Sequence, residues 1–204
     1  MVSGNYICPT EGEPETTTLT TTIEPVRSLT DIALVTRAVM LHDHRAFDSL
    51  VVKYQAHIRR FFLNQTLGNK QLSDDLAQDT FVKAYTCLHQ FQGRSGFSTW
   101  LYRIAYNVFY DYTRRQRPIA DMDSGEVAAM AGHDAMTAEK MDIYNALALL
   151  SENERLCVTL QLMEGESLEK IEEITGMAQG TVKSHLFRGK QKLATFLRKH
   201  GYGK

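Results

Sequence analysis

No stretch of this sequence stays apolar long enough to cross a membrane, and residues 1–30 lack the basic start and apolar run that mark a secretory leader. A cytoplasmic protein with no membrane insertion is the expectation. Cysteine is scarce: Cys8, Cys87 and Cys157 are widely spaced with no CxxC pair, which argues against a disulfide framework and against a zinc site. Cys87 and Cys157 fall in apolar helical patterns and read as small buried hydrophobes. His42 and His44 lie close together but have no carboxylate or cysteine company, so an inter-helix turn explains them better than a metal. There is no glycine loop to cradle phosphates. The one set of neighbouring carboxylates, Asp74, Asp75 and Asp79, sits at a helix start without a partner cluster, so neither metal-dependent nor nucleotide chemistry is expected. These absences leave a non-enzymatic protein without metal or cofactor.

What is present is a chain of 204 residues, 43% hydrophobic, enough for one large or two small cores. Its net charge of −1 conceals a division along the chain. Residues 1–36 carry five acids against Arg27 alone, whereas residues 37–117 carry twelve Lys/Arg against six Asp and no Glu. Acids dominate again from 118 to 179. After Glu173 there are no acids at all, and residues 180–204 hold seven bases. Two basic blocks separated by acidic ones predict two polyanion-contacting surfaces.

Residues 1–30 are threonine-, glutamate- and proline-rich, with little to bury, and are expected to be a disordered tail. Apolar residues then recur at helical spacing from Leu29 to Leu41, through Ile32, Val35 and Val39, and from His44 to Thr66, through Phe47, Leu50, Tyr54, Ile58 and Phe62. Ser73 reads as the N-cap of a third helix ending near His89, with the three aspartates near its positive end. Leu76, Ala77, Thr80, Phe81, Ala84 and Leu88 form its buried side. Asp75, Gln78, Asp79 and Val82 are left as an exposed patch, open to two readings: dipole compensation, or a docking face for a basic protein.

A glycine-broken aromatic loop, Gln90 to Phe97, feeds a fourth helix that Ser98 caps and that Pro118 stops near Gln116. Trp100, Leu101, Ile104, Ala105, Val108 and Tyr112 form its core stripe. The opposite side carries Tyr102, Arg103, Tyr106, Asn107, Tyr110 and Arg114. Flat rings alternating with guanidinium and amide groups suit stacking on unpaired bases and tracking phosphates, although a core-facing tyrosine cluster with snorkelling arginines has the same sequence. Pro118 to Thr137 lacks durable periodicity and reads as a flexible acidic linker.

Helical spacing resumes from Ala138 to Leu150. Ser151 to Glu154 is a capping box opening a further helix through Met163, which Glu164-Gly165-Glu166 breaks. Ser167 caps a short helix, Gly176 ends it, and Gly180 opens the last, a helix-turn-helix pattern. In the last helix Val182, Leu186, Gly189 and Leu193 share one side. Thr181, Lys183, Ser184, His185 and Arg188 would reach base edges, and Lys190 and Lys192 would reach phosphates.

Three of these stretches resemble the bacterial sigma-70 family, in its extracytoplasmic-function (ECF, group 4) branch. Asp74 to Tyr85 (DDLAQDTFVKAY) is similar to the polymerase-docking helix of region 2. Phe91 to Asn107 (FQGRSGFSTWLYRIAYN), followed by Asp111, Arg114 and Arg115, resembles the segment that melts and captures the −10 element. Leu150 to Arg155 and Ser167 to Leu193, notably Gly180 to Lys190 (GTVKSHLFRGK), resemble region 4, which reads the −35 element.

The resemblance implies an all-α protein of two small helical domains: residues 31–117 as region 2, a four-helix bundle, and 138–200 as region 4, joined by a linker over 118–137. It implies a dissociable initiation subunit. The β′ clamp helices of core RNA polymerase would meet Asp74, Asp75, Gln78, Asp79 and Val82, and the β flap would be a second polymerase contact. Single-stranded −10 DNA would meet Gln90, Phe91, Gly93, Arg94, Ser95, Arg103, Tyr106, Asn107, Tyr110, Arg114 and Arg115, with one flipped base held by the loop beside Asn107. Duplex −35 DNA would meet Thr181, Lys183, Ser184, His185, Phe187, Arg188, Lys190 and Lys192. An anti-sigma factor is a partner that members commonly have. Gly96, His185 and Gly189 depart from the family pattern, so promoter preference does not carry over. A plain helix-turn-helix regulator that binds duplex DNA without polymerase is the rival, and it leaves the aromatic loop and tyrosine face unexplained.

Overall fold

A computed structural model describes residues 27–116 and 138–202, and every described element is helical. The tail up to residue 26 and the linker lie outside the described residues. The first unit comprises α1 (Arg27–Met40), α2 (His44–Gln65), α3 (Lys70–Cys87) and α4 (Phe97–Gln116), with a 3-10 turn at Leu88–Gln90. The second comprises α5 (Ala138–Ala148), α6 (Glu152–Val158), a π turn at Thr159–Met163, α7 (Leu168–Thr175) and α8 (Gln179–Lys199).

Local signals set most of these boundaries. Asp43 caps α2 by accepting from the Arg45 amide at 3.1 Å, and His42 before it adopts φ 49°, so the two histidines do flank a turn. The cap of α3 is a correction. Asn69, not Ser73, accepts the Leu72 amide at 3.1 Å, the helix begins at Lys70, and Ser73 is buried within it, its hydroxyl donating to the Asn69 carbonyl at 2.6 Å. Asp75 and Asp79 therefore lie beyond the first turn, where the helix dipole no longer accounts for them. The Ser151/Glu154 capping box forms as expected, Ser167 caps α7, and Gly176 ends α7 at φ 72°. The helix expected to run to Met163 instead widens into the π turn after Val158.

Helical periodicity places the core. Ile58, Phe61, Phe62, Leu101, Ile104 and Ala105 are fully buried in the first unit, and Leu160, Ile171, Ile174 and Val182 in the second. Buried residues of both units form one connected apolar cluster, because the π turn and α6 pack on α2 while α7 packs on α4. Buried Asp31 supports α1 on α2, paired with Lys53 and accepting from Tyr54 Oη at 2.6 Å. Cys157 is the free buried thiol expected, and burial pushes it up to about 11. Cys87 is buried in the apolar cluster, as expected.

Two residues in left-handed conformations, Leu67 and Gly68, turn α2 into α3. A Cβ on Gly68 would lie 2.9 Å from the Tyr144 ring of α5, so the absence of a side chain lets the second unit lie close against the first.

Candidate nucleic-acid and partner interfaces

On α3, Asp75, Gln78, Asp79 and Val82 are all exposed and share one face, as the helical period requires. Val82 leaves 56% of its surface to solvent, an apolar centre beside the two carboxylates. Asp74 turns aside to pair with Arg59 of α2. Lys83, next on the helix, is lowered by burial, with Asp111 3.9 Å away opposing that shift.

The loop before α4 is held from inside. Phe91, Phe97 and Trp100 form a triangle with ring centroids 5.5–5.7 Å apart, and Tyr54 meets Phe97 at 5.5 Å. Between these anchors the chain runs outward through Gln92, Gly93 and Arg94, with Gly93 at φ 74° and open space around it. Phe91 is thus half-buried scaffold, while Gln90, Arg94 and Ser95 rim the opening. Arg103, Tyr106 and Asn107 are partly covered on α4, and Tyr110, Arg114 and Arg115 are exposed. Tyr106 and Tyr110 keep their rings 6.2 Å apart, a short aromatic ladder.

Tyr102, expected on that open face, is 3% exposed, because α7 and the turn before it cover this end of α4. Its hydroxyl donates to Glu164 Oε2 at 2.6 Å, and burial, followed by the Glu164 charge, raises its pKa far above the ordinary tyrosine value. The same carboxylate receives a fork from Arg60 of α2, Nε to Oε1 at 2.8 Å and Nη2 to Oε2 at 2.7 Å, with His57 Nδ1 at 3.3 Å. Burial favours the protonated acid, but the Arg60, Tyr102 and His57 contacts outweigh it and hold Glu164 below the ordinary glutamate range. Sequence spacing could not single out this cluster: its members lie up to 107 positions apart, and none is unusual on its own helix.

On α8 the faces fall as the period predicts. Val182, Leu186 and Gly189 are buried, and a Cβ on Gly189 would meet Val158 Cγ2 at 2.8 Å, so α6 and α8 cross in close contact. Thr181, Lys183, Ser184, Phe187, Arg188, Lys190 and Lys192 are exposed, and His185 is partly so. Phe187 leaves 64% of its surface open. A residue read from the sequence only as part of a capping box organises two of the others. Buried Glu154 of α6 reaches Lys192 Nζ at 2.7 Å and Arg188 Nε at 3.5 Å while accepting the Ser151 amide at 3.0 Å. Burial opposes its ionisation, but Lys192 and the Ser151 amide prevail and hold it below the ordinary range.

The matched family models are Sigma-70 region 2 over residues 50–119 and Sigma-70, region 4 over residues 140–193. The sequence is 34% identical over 178 residues to the ECF RNA polymerase sigma-E factor of Escherichia coli, covering 80% of this chain and 92% of that one. It is 34% identical over 176 residues to the RNA polymerase sigma-H factor of Pseudomonas aeruginosa, covering 79% and 90%. The fold is similar to CnrH, solved in complex with the cytosolic domain of CnrY, with a TM-score of 0.63 at 22% identity over 83% of this chain and 98% of that one. The sigma factor RpoE, solved with the anti-sigma factor NepR from Bartonella quintana, gives a TM-score of 0.61 at 25% identity over 74% and 96%.

Proposed function

The chain belongs to the sigma-70 family, in its extracytoplasmic-function group, and from that membership we propose how three surfaces share the work of starting transcription. The protein is an initiation factor that binds core RNA polymerase and directs it to promoters. In our reading residues 31–117 and 138–200 are its two working domains, joined by a linker over 118–137.

Asp75, Gln78, Asp79 and Val82 dock on the basic β′ clamp helices, with Asp74 at the edge of that contact. An apolar centre flanked by carboxylates suits such a partner, because the charges steer encounter while Val82 supplies desolvated contact. The loop from Gln90 to Ser95, with Asn107 beside it, holds one unpaired −10 base. Its anchoring by Phe91, Phe97 and Trp100 means that little order has to be imposed when the base arrives. Arg103, Tyr106, Tyr110, Arg114 and Arg115 line the path of the separated strand. Thr181, Lys183, Ser184, His185 and Arg188 read the −35 duplex, with Phe187, Lys190 and Lys192 at its edge.

On this reading the chain contributes binding and no bond-making step, works in the cytoplasm at the nucleoid, and takes an anti-sigma factor as its inhibitor. The inhibitor is supported by RpoE, solved with NepR. Among the described residues no helix is long and apolar enough to cross a membrane.

The carrying observation is the presence, on one chain and in family order, of an acidic-apolar docking face, a preformed aromatic loop and a basic recognition helix. The experiment is run-off transcription from a promoter library with purified core polymerase, with and without the protein. Initiation that appears only when it is added supports the reading, and its absence on every template would overturn it.

A further inference from the structure

Arg60 and His57 on α2 and Tyr102 on α4 converge from the first unit on the Glu164 carboxylate of the second. The Glu164 side chain is 1% exposed, although it sits on a sharp turn that Gly165, at φ 75°, carries between the π turn and α7. A guanidinium fork assisted by a phenol hydroxyl grips two oxygens that share one negative charge. A carboxylate satisfies that geometry, and so does a phosphodiester.

The position of the cluster favours the second ligand. Tyr102 lies one helical turn before Tyr106 and two before Tyr110, on the stripe of α4 that we assign to the unpaired −10 strand. A strand stacking along Tyr110 and Tyr106 would bring its backbone toward Tyr102 and Arg60. Glu164 now stands there.

The elements that meet here also carry buried polar groups without partners. The amide of Gln65 on α2 is buried without partners, as are Thr159 Oγ1 and Gln161 Oε1 in the π turn that packs on α2. Any such group that closure itself strands penalises the closed arrangement and lowers the cost of separating the units.

We propose that His57, Arg60 and Tyr102 form a binding site for a backbone phosphodiester of the unpaired promoter strand, and that Glu164 occupies this site in the closed chain as an anionic mimic. The inference rests on the single-strand reading of α4. It adds a strand contact on α2 that lies outside the loop, and it makes closure of the two units a competitor of DNA.

The test uses the full chain, a fluorescein-labelled oligodeoxythymidine, anisotropy across a salt series, and small-angle scattering for compactness. Glu164→Ala should expand the chain and tighten oligonucleotide binding several-fold. Glu164→Ala combined with Arg60→Ala should be equally expanded yet lose that gain, with a log affinity against log salt slope shallower by about 0.7, the value of one single-strand phosphate contact. Equal gains in both variants would show mere unmasking and overturn the site. A Glu164→Ala chain that binds no tighter than the parent, whether expanded or compact, would overturn it too, since its Arg60 fork no longer has an occupant. Run-off transcription by the parent protein separates the two levels: initiation without the Glu164→Ala gain removes only this site, whereas the gain without initiation removes the polymerase reading.

Discussion

Lys192 Nζ lies 2.7 Å from Glu154 Oε2, so a cation of the recognition helix is held by the carboxylate that also closes the capping box of α6. Glutamine can serve in a capping box but carries no charge, so Glu154→Gln separates the two roles. We expect a loss of about 1 kcal/mol, because Lys192 is half-exposed and solvent screens the pair. Duplex −35 binding should gain a salt slope steeper by about 0.9 if Lys192 is released to a phosphate. Thermal melts and a fluorescence titration across salt read both. Arg188→Ala should weaken the preferred −35 sequence by about 1–3 kcal/mol if Arg188 leaves Glu154 for a base edge. An unchanged sequence preference would make Arg188 a phosphate contact or scaffold.

Acid should act on stability in two opposed steps, a slight gain and then a loss. Glu154 and Glu164 are held below the ordinary value of 4.5, so their stabilisation is fully present above that value and is lost as pH falls through their lower folded values. Glu166 has the opposite sign. Burial, the leading cause, raises it, while Lys170 lowers it and Glu164 adds to the rise, so its cost above 4.5 is relieved as pH falls through its higher folded value. Melting temperature should therefore rise slightly on mild acidification and then drop below pH 4.5. In Glu164→Gln the final drop should be smaller, as calorimetry across pH would read.

Charge reversal on α3 should separate polymerase binding from folding. Asp75 and Asp79 are exposed, and α3 takes its cap from Asn69, so Asp75→Lys with Asp79→Lys should leave stability within about 0.5 kcal/mol. Co-purification with core polymerase should be lost. Retained binding in a folded variant would remove the docking assignment.

Gly68→Ala should cost at least about 1–2 kcal/mol from φ 90° alone, and more from the Tyr144 ring 2.9 Å from the new methyl. In a Tyr144→Ala background only the backbone cost should remain. The difference between the two penalties, read by chemical denaturation, measures how firmly α5 is seated on the first unit. Equal penalties would mean that the ring moves aside freely.

Most of the architecture was legible from local rules. The 3.6-residue period identified the buried sides of α2, α4 and α8, the Ser151 box fixed the start of α6, and Gly176 fixed the end of α7. The same rules misassigned the cap of α3, because Ser73 and Asn69 are both good caps and the choice fell to the Leu67–Gly68 turn, which brings Asn69 into place. Tyr102 was misassigned for a different reason. Its ring packs edge-on against Phe61 of α2, the core-facing alternative that the sequence left open, and the second unit completes its burial through Glu164, 62 positions away. Lys192 and Arg188 were read as free to meet DNA because nothing in their spacing reveals Glu154, whose reach depends on the close crossing that Gly189 allows.

The ring triangle beneath the loop carries the single tryptophan of the chain, Trp100, 2% exposed and with its indole Nε1 unpartnered. The protein therefore contains its own optical reporter beneath the loop that we propose captures a promoter base. An indole in so dry a setting emits toward the blue, and water or a nucleobase reaching Phe91 or Phe97 would change its emission, so loop occupancy can be followed in real time without attaching a dye.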